Sequence, residues 1–415
     1  MSEVNNFIIF RNIMSRNKPD RYFTFKNRME DFIVEEILVK EPSGKWDYIY
    51  IFIEKKNLTT MDVVTNLMKE FRISRKRIGI AGLKDKRGIT RQWFSFFKKD
   101  VEEKWGERAL IDFFEYDMRV LDVTYDEIGL RLGINKWNRF FLTLRNNKRV
   151  KFDDLKKVTF AFLDKIQKNG MPNYFGAQKM WVTGQNPKLG YLLISGKIKK
   201  LKYEKDSPLE KKFKIQAYVS DIFNKYIEAR SIKMGLNAPM KWDVVTLKFT
   251  GKNALLENVE DYDSKNMIIT GPLAWYDLML PESDSLYLEK KVLNKGKLDI
   301  NNLENFQEFG LFGIRRPIVT PLKNMKYMFN KNDDLLLDFD LSAGSYASVL
   351  VDLLEDVLWD RFHKTKEQKE KQKEEKKERK IDYTKKDWKS KKRRVQMDAE
   401  RKNKGKRHFK KKKNQ

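Results

Sequence analysis

Two period-two stretches near the start of the chain, residues 21–40 (RYFTFKNRMEDFIVEEILVK) and 46–57 (WDYIYIFIEKKN), constrain the fold most. Aromatic and β-branched residues alternate there with polar ones, as in strands with one covered face. Phe32, Val34 and Glu36 fall on one such face. The period then changes. Val63, Val64, Leu67, Met68 and Phe71 recur at helical spacing, and Thr59 with Asp62 has the form of a capping box. Short strands are expected over 78–83 and 91–97, with a turn at 84–88 between them, and two more within 117–145. Helices follow over 152–170 and 213–235, each ending on Gly. Residues 240–320 are mixed and rich in turn formers; a strand, a turn and a helix close the ordered part over 334–362. Runs of strands without regular βαβ alternation predict an α+β fold and argue against a Rossmann or TIM architecture. A chain of 415 residues suggests roughly two to three domains.

Composition narrows the chemistry. There is no Cys, and the two His, His363 and His408, lie in a Lys-rich C-terminal segment. Disulfides, thiolate nucleophiles and zinc–cysteine sites are excluded, and in the globular body so are a Ser-His-Asp triad and a His-ligated metal. Catalysis there would rest on carboxylates, hydroxyls, amines, amides or a bound cofactor. A hydrophobic fraction of 40%, with 28 Phe, 16 Tyr and 9 Trp, suffices for a sizeable core despite a net charge of +28. The tail from Arg361 to Gln415 carries most of that charge, and the body is basic as well. The first part of the tail is expected to prolong a helix through alternating Glu and Lys, and the rest, after about Ile381, to be disordered. It reads as a salt-sensitive polyanion tether, or more plainly as a solubilising tail. No stretch approaches the roughly 18–20 apolar residues of a membrane span, and the N-terminus lacks a signal-peptide layout. A soluble, cytoplasmic protein without a membrane partner is expected, acting as a monomer.

The most informative stretch is GIAGLKDKRGITRQW, residues 79–93. Gly79, Ala81 and Gly82 permit close approach of a backbone or a substrate. Asp85 then sits in a turn among Lys84, Lys86, Arg87 and Arg91, so one loop offers an anionic group and a grip for phosphates. The plainer reading is an Asp that caps its own turn. In Asn173-Tyr174-Phe175-Gly176-Ala177-Gln178-Lys179, Asn173 and Gln178 suit base edges and Tyr174 or Phe175 suits stacking, unless the rings are simply core. Arg315 and Arg316 form a basic turn fitted to phosphates, or only a solvated one. The acidic stretch at 257–266 lacks an EF-hand pattern and reads as a surface loop.

Taken together, these residues resemble the TruD family of RNA pseudouridine synthases. The resemblance runs in order through Lys26 with Glu30-Asp31-Phe32, Val34 and Glu36; Gly82 to Lys86 with Thr90 and Gln92-Trp93; Asn138-Arg139-Phe140 with Leu144-Arg145; and Asn173-Tyr174-Phe175-Gly176 with Gln178. It continues through Ala217-Tyr218, Phe223-Asn224, Gly271-Pro272-Leu273, and Leu341 with Gly344-Ser345-Tyr346-Ala347, spanning about residues 20–355. Two departures are Lys179-Met180-Trp181 in place of the more usual Arg-Phe-Gly, and Ser342 where Pro is common.

The resemblance implies a catalytic domain with a mixed, largely antiparallel sheet over 1–184 and 313–360, interrupted by an α+β TRUD insertion at 185–312 and followed by a basic tail over 361–415. It implies isomerisation of uridine to pseudouridine in tRNA, typically at position 13, without cofactor or metal. Asp85 would be the catalytic carboxylate, acting at C1′ as a nucleophile or at C2′ as a base. Lys84 and Lys86 flank it, but in an extended chain they point to the opposite face, so Lys26 is expected as its partner. Phe32 and Glu36 would support the site, Asn173 would position the aspartate or the base, and Phe175 would stack on the uracil or shape its pocket. Lys84, Lys86, Arg87, Arg91, Arg139, Gln178, Arg315 and Arg316 are the RNA-binding candidates. Two rival readings remain: a non-catalytic RNA-binding protein on the same fold, and a two-carboxylate glycosidase built on Asp85 and Glu36.

Overall fold

A computed structural model describes residues 21–101, 114–115, 117–180, 185–201, 207–274, 276–299 and 303–363. The expected tail beyond 363 lies outside the described residues. Among the described residues ten strands form one sheet: β1 (Phe23–Thr24), β2 (Phe32–Leu38), β3 (Tyr48–Lys56), β4 (Gly79–Ile80), β5 (Ile89–Phe97), β6 (Phe114–Glu115), β7 (Met118–Asp126), β8 (Asn135–Asn146), β15 (Lys323–Phe329) and β16 (Leu335–Ser342). Its main path runs β15-β16-β8-β2-β5-β3-β7-β6. The β2–β5 pair is parallel and the other pairs are antiparallel, so the sheet is mixed and largely antiparallel, as expected.

Side-chain alternation and strand register define the working face. Val34 lies opposite Thr90 on one side and Phe140 on the other, and Phe140 lies opposite Phe339. All four point to one face. The α-helix α1 (Thr60–Phe71) covers one end of it, packing Val63, Val64, Leu67 and Phe71 on Ile51, Ile53, Phe94 and Phe96. The expected capping box is present: Thr59 Oγ1 accepts the Asp62 N–H, and Asp62 accepts the Thr59 N–H. The helices Phe152–Asn169 and Ala347–Phe362 cover the other end, over Phe140, Leu142 and Phe339. Between the two helical coverings the sheet face stays open, and there the site lies.

Residues between the two parts of the large sheet build a second unit. Helices Gln185–Ile194, Pro208–Lys233 and Ser283–Lys295 accompany a four-stranded sheet ordered β11 (Asn253–Leu255), β10 (Val244–Leu247), β12 (Met267–Leu273), β13 (Ile314–Pro317). The insertion was expected to end at 312, yet this sheet continues through Pro317, because Ile314–Pro317 pairs with β12. β9 (Met171–Pro172) and β14 (Val319–Thr320) form a short ribbon where the chain leaves and re-enters the larger unit. Among the described residues no helix is long and apolar enough to cross a membrane.

Candidate active site

The segment Gly82–Gly88 crosses the open face as a loop held from below. Thr60, at the first turn of α1, accepts the Lys84 N–H at 2.9 Å and donates to Gln92 Oε1 at 2.8 Å. Gln92 Nε2 donates to the Gly82 carbonyl at 3.2 Å. Gly88 has φ +127°, and a Cβ there would meet the Phe32 carbonyl oxygen at 2.6 Å, so glycine is required by both backbone and space.

Lys84 turns inward. Its ammonium pairs with Glu36 Oε1 at 2.5 Å, with both side chains buried, and Glu36 Oε2 accepts the Trp93 N–H at 3.1 Å. Lys84 was expected to contact RNA; the structure gives it to Glu36, because the alternation that turns Asp85 outward turns its neighbour towards β2. Glu36 is thereby engaged, so the second free carboxylate of the glycosidase reading is missing.

Asp85 faces outward with its side chain 47% exposed, and Lys26 Nζ lies 3.4 Å from its Oδ2. Lys26 sits on the turn after β1 in a left-handed backbone conformation, φ 58°. Non-glycine residues in that region are uncommon and cluster at functional sites. Its ammonium also lies 3.5 Å from the Phe32 ring centroid, which fixes its direction by a cation–π contact.

Two cavities meet at this pair. A pocket of about 210 Å³ opens between Phe32, Val34, Phe140, Leu83 and the turn 344–348. A broader groove of about 670 Å³ runs past Arg21, Lys86 and Arg87. Lys26, Asp85 and Ser348 border both. Among the described residues, three buried oxygens lining the pocket, Thr90 Oγ1, Asn138 Oδ1 and Ser348 Oγ, have no hydrogen-bond partner. Such groups are costly unless a ligand, a water or a rearrangement satisfies them. Burial raises the pKa of Tyr346 at the pocket wall, with Asp85 adding to the rise and Arg316 opposing it.

The other signature residues stand behind this wall. Asn173 is buried; its Oδ1 accepts from Arg316 at 2.7 Å and from Ser345 Oγ at 3.0 Å. It therefore fixes the turn that carries Tyr346. Phe175 is also buried, its ring edge-on to Tyr346 at 6.0 Å and the Arg316 guanidinium 4.1 Å from its centroid. It does not line the pocket but packs behind Tyr346, which lines it together with Phe32 and Phe140. The Gln178 side chain lies outside the described residues.

The basic candidates divide. Lys86 and Arg87 line the broad groove. Arg91 bonds Glu54 at 2.9 Å and Glu35 at 3.1 Å, and Arg139 makes two 2.9 Å bonds to Asp338. Register places Arg91, Glu35 and Arg139 on the back of the sheet, one residue out of phase with Val34 and Thr90. Arg315 points into the second unit, where its buried guanidinium bonds Glu289 at 2.9 and 2.5 Å. Arg316, its neighbour on β13, faces the other way and braces Asn173 and the Gly344 carbonyl. Neither Arg315 nor the two sheet arginines reach the site. The pocket residues Thr90, Asn138, Phe140, Tyr346 and Ser348 are not among the site candidates read from the sequence; Thr90, Asn138, Phe140 and Tyr346 stand inside the motifs that carry the resemblance, whereas only the fold brings Ser348 to the pocket.

Comparison with known proteins identifies the family and the fold. The family profile described as tRNA pseudouridine synthase D (TruD) matches residues 14–202 and 206–352. A tRNA pseudouridine synthase D of Thermus thermophilus is 32% identical over 327 residues, 78% of this chain and 85% of the relative. That of Shewanella oneidensis is 30% identical over 344 residues, 82% and 87% of the two chains. A crystal structure assigned to tRNA pseudouridine synthase D from Methanosarcina mazei superposes with a TM-score of 0.64 at 20% identity, covering 81% of this chain and 94% of that one, which shows the shared fold. With a family profile that matches most of its length and a relative 32% identical over 78% of it, the chain belongs to the TruD family of tRNA pseudouridine synthases.

Proposed function

We propose that this chain converts uridine to pseudouridine in tRNA, with position 13 as the target, and that Asp85 is the catalytic residue. The observation that carries the reading is the placement of the Asp85–Lys26 pair where an aromatic-walled pocket opens into a groove bordered by Arg21, Lys86 and Arg87.

The chemistry asks for such a junction. The target nucleotide leaves its stack at a cost of roughly a few kcal/mol, offset by phosphate contacts to cations along the groove. The uracil enters the pocket beside Phe32 and Tyr346, and its ribose stays at the mouth, next to Asp85. The N1–C1′ bond breaks, the base turns, C5 bonds to C1′, the C5 proton is released and N1 gains one. Asp85 serves this either by attacking C1′ or by removing the C2′ proton; both use its outward oxygens. Lys26 orients them. In this reading the ten-stranded sheet carries the catalytic domain, and residues 185–317 form the insertion beside it.

Tritium release from tRNA labelled at uridine C5 tests the proposal. The wild-type protein should release label, and Asp85→Asn should bind tRNA without releasing any. Binding without release by the wild-type protein would favour the non-catalytic RNA binder instead.

A further inference from the structure

Lys55 is the fully buried lysine of the open face, with a relative exposure of 0%. It lies on β3 opposite Thr90 and in phase with Ile51 and Ile53, so the strand alternation places an ammonium where the same row otherwise carries isoleucine. Filling that position calls only for an apolar side chain, and burying a charged amine is expensive. Among the described residues Lys55 makes no ion pair. Its donors go to two backbone carbonyls, that of Leu58 at 2.5 Å and that of Asp85 at 3.1 Å.

Those acceptors are telling. Leu58 immediately precedes the N-cap of α1, and Asp85 is the outward residue of the loop above it. The bonds from Thr60, Gln92 and Glu36 hold Gly82 and Lys84, upstream of Asp85. Lys55 reaches the peptide of Asp85 itself.

We propose that Lys55 is a positioning residue for the reaction: its ammonium ties the Asp85 carbonyl to the start of α1 and so holds the carboxylate at the pocket mouth. The inference rests on the reading of Asp85 as the catalytic group. Burial pulls the pKa of Lys55 down to about 8, with Asp85 and Asp62 opposing the fall and Lys84 adding to it, so the ammonium persists at neutral pH and is lost in mild alkali.

The test is the pH profile of tritium release by the full-length wild-type protein, Lys55→Met and Lys55→Arg, with kcat and KM for tRNA determined separately. The wild-type kcat should decline as pH rises through about 8. Lys55→Met should lower kcat at pH 7 by tenfold or more, leave KM within twofold, and show no such decline. Lys55→Arg, which keeps a charge that does not titrate in this range, should retain measurable turnover with the decline displaced upward. A role confined to folding would reduce the amount of active protein without moving the profile. Unchanged kcat in Lys55→Met overturns the proposal. So does a decline at the same pH in either variant, which would assign it to another amine such as Lys179, whose pKa burial also lowers to about 8. Should Lys55→Met not fold, the wild-type and Lys55→Arg profiles decide alone. Absence of turnover in the wild type, or full turnover in Asp85→Asn, would instead overturn the reading on which the inference rests.

Discussion

The Lys26 ammonium lies 3.4 Å from an Asp85 carboxylate oxygen and 3.5 Å from the centre of the Phe32 ring. Three elements of the chain, the turn after β1, the loop before β5 and the start of β2, thus converge on one cation. Its left-handed backbone angle sends the side chain across the mouth of the pocket.

Lys26→Met should therefore impair chemistry more than binding. Removing a single preorganised charged partner at a reacting centre typically costs about 10²–10³ in kcat, and the phosphate contacts of the groove remain. Single-turnover rates and a filter-binding titration with the same tRNA separate the two. Equal losses in both would make Lys26 a general RNA contact.

Glu36→Gln should weaken fold and activity together. Breaking a buried ion pair from one side costs roughly 3–5 kcal/mol, and Lys84, now unpaired, shares the loop with Asp85. Urea denaturation should show the loss directly. A variant as stable as the wild type would mean that Lys84 finds water.

Phe175→Ala and Tyr346→Ala should fail in different ways. Phe175 is packed against Phe223, Tyr346 and Arg316, so its loss leaves a cavity, with a cost of about 3–5 kcal/mol in stability. Tyr346 is half-buried and lines the pocket, so its loss should lower turnover with a smaller change in stability. Melting curves and tritium release on both variants check this; the reverse pattern would put Phe175 in contact with the base.

Alkali should unfold the second unit through its buried phenols. Burial raises Tyr226 from 10.0 to about 12, with Glu289 and Asp243 adding to the rise and Arg230 opposing it. Below pH 10 both states hold the proton. Between pH 10 and 12 the unfolded chain releases it and the folded chain does not, so stability falls as pH rises, by roughly 2–3 kcal/mol for this group. Tyrosinate absorbance should rise together with the loss of ellipticity in that window. Ionisation of all tyrosines near pH 10 without unfolding would show that Tyr226 is accessible.

Much of the catalytic unit is legible in residue order. The alternation in 21–40 places Phe32, Val34 and Glu36 inward, and the capping box at Thr59 and Asp62 starts α1 where expected. The pairing of Asp85 with Lys26 is legible through the family resemblance; parity alone only sets aside Lys84 and Lys86. The arginines were less legible. Arg91, Arg139 and Arg315 have the composition of an RNA contact, but each is matched to a carboxylate distant in sequence or fixed by strand register: Glu54 and Glu35, Asp338, Glu289. Phe175 is expected either to stack on the uracil or to shape its pocket, and residue order does not choose; the packing of Tyr346 in front of it favours the second.

The most direct test of the central claim is a pseudouridine map of one tRNA transcript, read by carbodiimide-dependent primer-extension stops after incubation with the wild-type protein or with Asp85→Asn. The account predicts a single new stop, at position 13, with the wild type and none with the variant. A stop of equal strength with Asp85→Asn, or none with the wild type, would contradict it.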